Sequence, residues 1–288
     1  MKMEALFPKD DNYLIFTVHQ SQYGVSHVKV VSVLDMPQLT VIPKMPMEMR
    51  GVIPFREGSV PLFDLRVAFG SKSRLQETAE LIETMALRKQ DHINWLNKLK
   101  DEVMGDKPIT VQTNPHLCVF GKWYDNFTSD NTNLKNYMNR IDEPHKQIHG
   151  VAIEAEKLLK SGRIGEAHEV VHNAEKGTLA RLIGLFDGIE SVVREYLLEY
   201  AIVFDVEGQL FAIAVDDINL FCKLDHIESP LPSGVVSSEN DLVQALGLYQ
   251  EEGHAEGKDV LLLDIARLLT QTDLSGDDAG SNDTVVAV

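Results

Sequence analysis

The sequence predicts an α+β protein in which a β domain is interrupted by an inserted all-α bundle. Three observations carry that reading. Strand-like runs fill the first seventy residues, strand-like runs return near residue 198, and everything between has helical periodicity. Neither β portion holds enough strands to close on itself, and an open sheet would leave exposed edges. The simplest repair is one β domain built from both portions, with the bundle carried in a loop, because loop-closure cost grows slowly with length. The predicted boundaries are residues 1–74 for the first β half and 75–197 for the insert. The second half then runs over 198–272, followed by an acidic tail over 273–288.

Each element has its own signal. "YLIFTVHQSQYGVSHVKVVSVL" (13–34) supplies two runs rich in Val, Ile, Phe and Tyr around Gly24. "GVIPFREGSVPLFDLRVAF" (51–69) supplies another pair, with Gly58 placed in the turn and Pro54 and Pro61 restricting where central strands run. "RLQETAELIETMALRKQDHINWLNKLKDEVM" (74–104) is a long helix whose apolar stripe is read through Leu81, Met85, Ile93, Leu96 and Leu99. "GDKPITVQTNP" interrupts the helical texture, which resumes in "NLKNYMNRI", after Pro144, and from His168 to Leu197, giving about four helices. "YAIVFDVEGQLFAIAVDDINLFCKL" (200–224) is a hairpin turning at Glu207-Gly208, and "ALGLYQEEGHAEGKDVLLLDIARLL" ends in a short helix. The final sixteen residues carry four Asp and neither Lys nor Arg, the composition of a disordered tail.

The totals exclude several functions. A formal charge of −17 leaves no basic surplus to replace phosphate counterions, so nucleic acid is not an expected partner. No run of 18 apolar residues exists for direct membrane insertion, and the start "MKMEALFPKDD" lacks a signal-peptide core, so a cytoplasmic protein is expected. Two cysteines, Cys118 and Cys222, are too few for a disulfide framework.

Chemistry concentrates in the insert. With Pro144 in a first helical turn capped by Asp142 or Glu143, His145 and His149 project from one face, one turn apart. "DHINW" places His92 on a helix, and "NPHLCVFG" reads as a helix start with Asn114 as cap, putting Cys118 where free N–H groups favour thiolate. Three imidazoles and a thiolate suit a closed tetrahedral Zn²⁺ site, structural or sensory rather than catalytic. Spacing alone leaves the alternatives open. "HEVVH" repeats the same interval at His168 and His172, a lone cysteine is more often core than ligand, and Cys222 reads as strand core.

The blocks "DHINW", "HLCVFGKWY" and "HKQIH" resemble the chemoreceptor zinc-binding (CZB) domain over roughly residues 80–195. That resemblance implies a four-helix fold binding zinc through His92, Cys118, His145 and His149, often as a homodimer. The flanking portions resemble CheW, the adaptor joining chemoreceptors to the histidine kinase CheA. "RGVIPFREGSVPLFDLRVAFG", "GQLFAIAVDDI" and "DVLLLDIARLL" carry the likeness, with Pro54, Glu57 and Ala212 departing from its usual residues. It implies a pair of small five-stranded β-barrels, with Arg56, Asp64 and Arg66 as partner-binding residues and a chemoreceptor tip and CheA as partners. Together the resemblances imply a non-catalytic chemotaxis adaptor. Its insert would sense zinc, or an oxidant such as hypochlorous acid acting on the Cys118 thiolate. The alternative is a zinc hydrolase using the same ligands, for which H-E-x-x-H and G-x-S-x-G are missing.

Overall fold

The computed structural model describes residues 6–228, 231, 242–250 and 257–271, so the predicted tail over 273–288 lies outside the described residues. The chain separates into two compact units. One comprises the chain up to Lys72 and from Glu199 onward; the other is Ser73–Leu198.

The first unit is built from eleven described strands: β1 Asn12–Val18, β2 Ser21–Ser26, β3 Val30–Asp35, β4 Met49–Phe55, β5 Gly58–Asp64, β6 Tyr200–Val206, β7 Gln209–Val215, β8 Asp217–Lys223, β9 His226–Glu228, β10 Val243–Tyr249 and β11 Lys258–Leu263. They form a six-stranded sheet, β8-β1-β2-β11-β10-β9, and a five-stranded sheet, β3-β6-β7-β5-β4. The expected pair of small five-stranded β-barrels is represented by these two sheets, the sixth strand of the first being the three-residue β9 that pairs with β10. Both sheets mix strands from either side of the helical segment, joined by the parallel pairs β11 with β2 and β5 with β7.

Period-two alternation explains the cores. In β1, Tyr13 and Ile15 pack with Ala245, Val260 and Leu262 inside the six-stranded sheet. The alternate residues Leu14 and Phe16 join Phe63, Phe204 and Phe211 in a cluster shared by both sheets. Ile53, Leu62, Val203 and Ala212 fill the interior of the five-stranded sheet. The β6–β7 hairpin turns at Glu207 (φ 54°) and Gly208 (φ 85°), as the sequence predicts. In the β4–β5 hairpin the turn is Arg56-Glu57, with Arg56 at φ 53°, and Gly58 instead opens β5.

The second unit is helical. α1, Leu65–Ala68, closes the first part of the β unit, and Ser73 then starts α2, Arg74–Met104, through a reciprocal capping box with Gln76. α3 is Val119–Tyr124 and α4 is Thr132–Lys160. A third leg follows as α5 Ile164–Ala174, a π-helical turn over Glu175–Leu179, α6 Ala180–Asp187 and α7 Ile189–Tyr196. Gly188 lies between the last two, where a Cβ would lie 2.2 Å from the Tyr137 hydroxyl, which donates to the Leu185 carbonyl.

Two expectations are corrected here. The α2 seam takes His92, not Ile93, between Met85 and Leu96. Pro144 starts no helix: α4 begins twelve residues earlier, capped by the Asn131 side chain, and Pro144 sits buried inside it. Packing of the buried seam Leu134, Met138, Ile141, His145, Ile148, Ala152 and Ala155 outweighs the one backbone hydrogen bond that proline removes.

Candidate metal centre

Two long seams converge on the site. His92 on α2 and His145 and His149 on α4 occupy positions where an apolar side chain would otherwise complete the core, and they are only 3%, 3% and 1% exposed. Their donor atoms and the Cys118 sulfur lie within 4.8 Å of one another. Tetrahedral zinc with these ligands would have donor–donor edges of roughly 3.3–3.6 Å. The four are therefore assembled to within small side-chain adjustments, and Cys118 Sγ to His145 Nε2 is 3.2 Å.

The loop bearing Cys118 explains its sequence. Asn114 caps a short 3₁₀ turn, Pro115–Leu117, as the residues predict. Cys118 is then the N-cap of α3, not a residue of its first turn, and its sulfur accepts the Gly121 N–H at 3.1 Å. A Cβ at Gly121 would sit 1.8 Å from the Pro115 carbonyl oxygen, so only glycine lets α3 fold against the turn. Phe120 is driven inward, its ring meeting those of His92 (5.9 Å), His145 (4.8 Å) and Phe186 (5.2 Å).

The ring nitrogens facing away from the cluster are fixed by backbone carbonyls. His92 Nδ1 lies 2.7 Å from the Arg88 oxygen, and His149 Nδ1 lies 2.8 Å from the Gln112 oxygen. Each Nδ1 must donate there, which leaves Nε2 as a lone pair. Those two Nε2 atoms are buried and without any hydrogen-bond partner. Burial, reinforced by the neighbouring imidazoles, lowers the His145 pKa to about 3, and burial lowers that of His149 to about 4. Neutral, aligned lone pairs are what a cation needs.

Cys118 corrects another expectation. Burial pushes its thiol pKa up, and the Gly121 and Phe120 N–H groups offset this only in part. A helix start alone does not make it a thiolate; a bound cation would. Beside it, Asp91, Trp95, Leu117 and Val119 line a cleft of about 270 Å³ that reaches Cys118 and His149.

The remaining sequence-predicted residues separate from this site. His116 is exposed and pairs with Asp125; His168 and His172 are absent from the cluster. Cys222 on β8 is half-buried and packs against the core of the six-stranded sheet. Of the three residues assigned to partner binding, only Arg56 is exposed, its guanidinium 5.0 Å from the Phe55 ring centre. Asp64 is fully buried, capping α1 and pairing with Arg50 at 2.6 Å. Arg66 is 2% exposed and forks onto Asp216 at 2.7 and 2.6 Å. Both are engaged inside the fold and offer no surface to a partner.

Comparison with known families bears on both units. Residues 12–88 match the model of the CheW-like domain, and residues 92–156 match that of the chemoreceptor zinc-binding domain. Within the chain, a segment similar to the CheW-like domain is thus followed by one similar to the chemoreceptor zinc-binding domain. The two matches follow one another, and the strands from Tyr200 onward lie beyond both. No curated protein matches the chain. Among solved structures it is similar to the scaffolding protein TtCheW from Thermoanaerobacter tengcongensis, at 12% identity over 88% of this chain and 89% of that one. The TM-score is 0.39, a superposition too loose to carry weight. The setting is therefore chemotaxis signalling, with an adaptor-type domain, a zinc-binding domain and Zn²⁺ as the metal; neither matched family is catalytic. No described helix is long and apolar enough to cross a membrane.

Proposed function

We propose that the chain is a cytoplasmic adaptor that couples chemoreceptor tips to the kinase CheA, with a zinc site that senses zinc or an oxidant. His92, Cys118, His145 and His149 are the ligands in this reading. The observation that carries it is the pair of buried, partnerless Nε2 atoms aimed at a cysteine sulfur and a third imidazole. A buried polar atom left unpaired is costly, and here one bound cation would satisfy both at once.

Four protein donors leave no open position for a hydrolytic water, which disfavours the hydrolase alternative. The Arg66–Asp216 fork links the "DLR" block to the "VDDI" block across 150 residues. That supports residues from Glu199 onward as the second half of the CheW-like domain, with the zinc-binding unit inserted between. Arg56 remains the proposed partner contact, and a dimer through the bundle belongs to the same reading. Oxidant sensing would act at Cys118, which the apolar cleft leaves approachable while the imidazoles stay buried.

The test is metal content by mass spectrometry for the purified protein and Cys118→Ala, followed by receptor and CheA binding with and without zinc. One zinc per chain, lost in the variant and altering partner affinity, is expected. No zinc even after reconstitution would remove the metal reading, and unchanged affinities would remove the coupling.

A further inference from the structure

His149 is held by a carbonyl that belongs to no regular element. The Gln112 oxygen lies in the stretch between α2 and α3 and accepts two hydrogen bonds, from His149 Nδ1 at 2.8 Å and from the Trp95 indole N–H at 2.9 Å. Nothing in helix geometry positions residue 112; its chain must be pinned elsewhere. The pin is Glu102, in the last turn of α2 and 7% exposed. Its carboxylate accepts the Thr110 N–H at 2.9 Å and the Thr110 hydroxyl, with Lys98 alongside. Val111, between the pinned residue and the accepting carbonyl, is itself buried in the bundle core. Burial works against this carboxylate, but the Thr110 hydroxyl and N–H and the Lys98 ammonium outweigh it and hold its pKa below the ordinary value. It therefore stays an ionised acceptor, which makes its hydrogen bonds strong.

We infer that Glu102 is a positioning residue for the metal site, acting through Thr110 and the Gln112 carbonyl to fix the orientation and tautomer of His149. The inference rests on His149 being a ligand, but it makes its own claim about the metal-free protein. An imidazole whose Nδ1–H loses its carbonyl can carry its proton on either nitrogen, and a proton on Nε2 blocks the metal. Changes in such supporting groups typically weaken metal affinity by about 10- to 100-fold.

The experiment uses the full chain as wild type, Glu102→Ala and the near-isosteric Thr110→Val. Nitrogen–proton correlation spectra of the metal-free protein read the His149 tautomer, and competition with a chromophoric chelator reads zinc affinity. Wild type is expected to show His149 with its proton on Nδ1. Glu102→Ala should show a mixed tautomer and about tenfold weaker zinc binding, and Thr110→Val a smaller shift in the same direction. Affinity within twofold of wild type in both variants overturns the inference. So does weaker binding with the tautomer unchanged, since that reports only a loosened bundle. If Glu102→Ala fails to fold, Thr110→Val decides. If wild type binds no zinc, the ligand assignment falls, while the tautomer comparison still tests the link from Glu102 to His149.

Discussion

The two units bury polar groups in opposite ways. In the β unit, Arg66 forks onto Asp216, which also accepts the His19 N–H, and Arg50 bridges Asp64 and Glu199 at 2.6–2.8 Å. Every one of those charges faces an opposite charge. In the helical unit, His92 and His149 satisfy one ring nitrogen each and leave the other bare. Single buried atoms without partners occur elsewhere, His19 Nε2 among them, but among the described residues only these converge with further donors. A closed polar network stabilises or specifies a fold, whereas converging unpaired donors mark a place built for something else.

Removing the metal should break that contrast most severely. In His149→Ala, zinc affinity is expected to fall by more than the roughly 100-fold of a supporting-residue change. The helical unit should also lose the melting transition that zinc shifts upward, read by calorimetry with and without chelator. An unchanged affinity would show that the unpaired atoms are not ligands.

Arg66→Ala attacks the closed network. It takes the guanidinium from Asp216, which is 5% exposed and keeps the His19 N–H, so a loss of about 3 kcal/mol is expected by urea unfolding. Zinc stoichiometry should stay at the wild-type value, and a lost zinc would mean the units are not energetically separate.

Gly121→Ala sharpens the account of the cysteine loop. The new methyl collides with the Pro115 carbonyl, so about 1–3 kcal/mol of destabilisation and a weaker zinc complex are expected. Wild-type affinity in this variant would show that α3 can shift without moving Cys118.

Acid should destabilise the metal-free bundle. His145 and His149 have folded pKa values near 3 and 4, below the ordinary 6.5. As pH falls below 6.5 the unfolded chain binds protons that the folded bundle refuses. Stability therefore declines from 6.5 toward 4, by up to about 1.4 kcal/mol per pH unit for each such proton, and is flat in these groups above 6.5. Denaturation curves at a series of pH values check this; a bundle equally stable at pH 7 and 5 would mean the imidazoles are not buried as described.

The smallest effect belongs to Arg56→Ala. Its exposed side chain should contribute within about 0.5 kcal/mol to stability, so any loss of chemoreceptor or CheA binding in pull-down titrations would report a contact rather than a fold defect.

Much of this was legible in the residues. Alternation and turn chemistry determined the strands, because Tyr13 and Ile15 against Leu14 and Phe16 already encode two buried faces. Asn114 and Pro115 announced the start of helical structure just before Cys118. The i, i+4 interval placed His145 and His149 together whether or not Pro144 starts a helix, since both lie beyond it. What the sequence by itself could not decide depends on groups far apart in the chain. Local preference reads Pro144 as a helix start and the α3 terminus as a thiolate site; seam packing overrides the first and desolvation the second. Asp64 and Arg66 look like surface charges until Arg50 and Asp216 arrive from elsewhere to bury them. The tautomers of His92 and His149 are likewise tertiary facts, because a ring nitrogen's proton goes wherever the fold places a carbonyl to receive it.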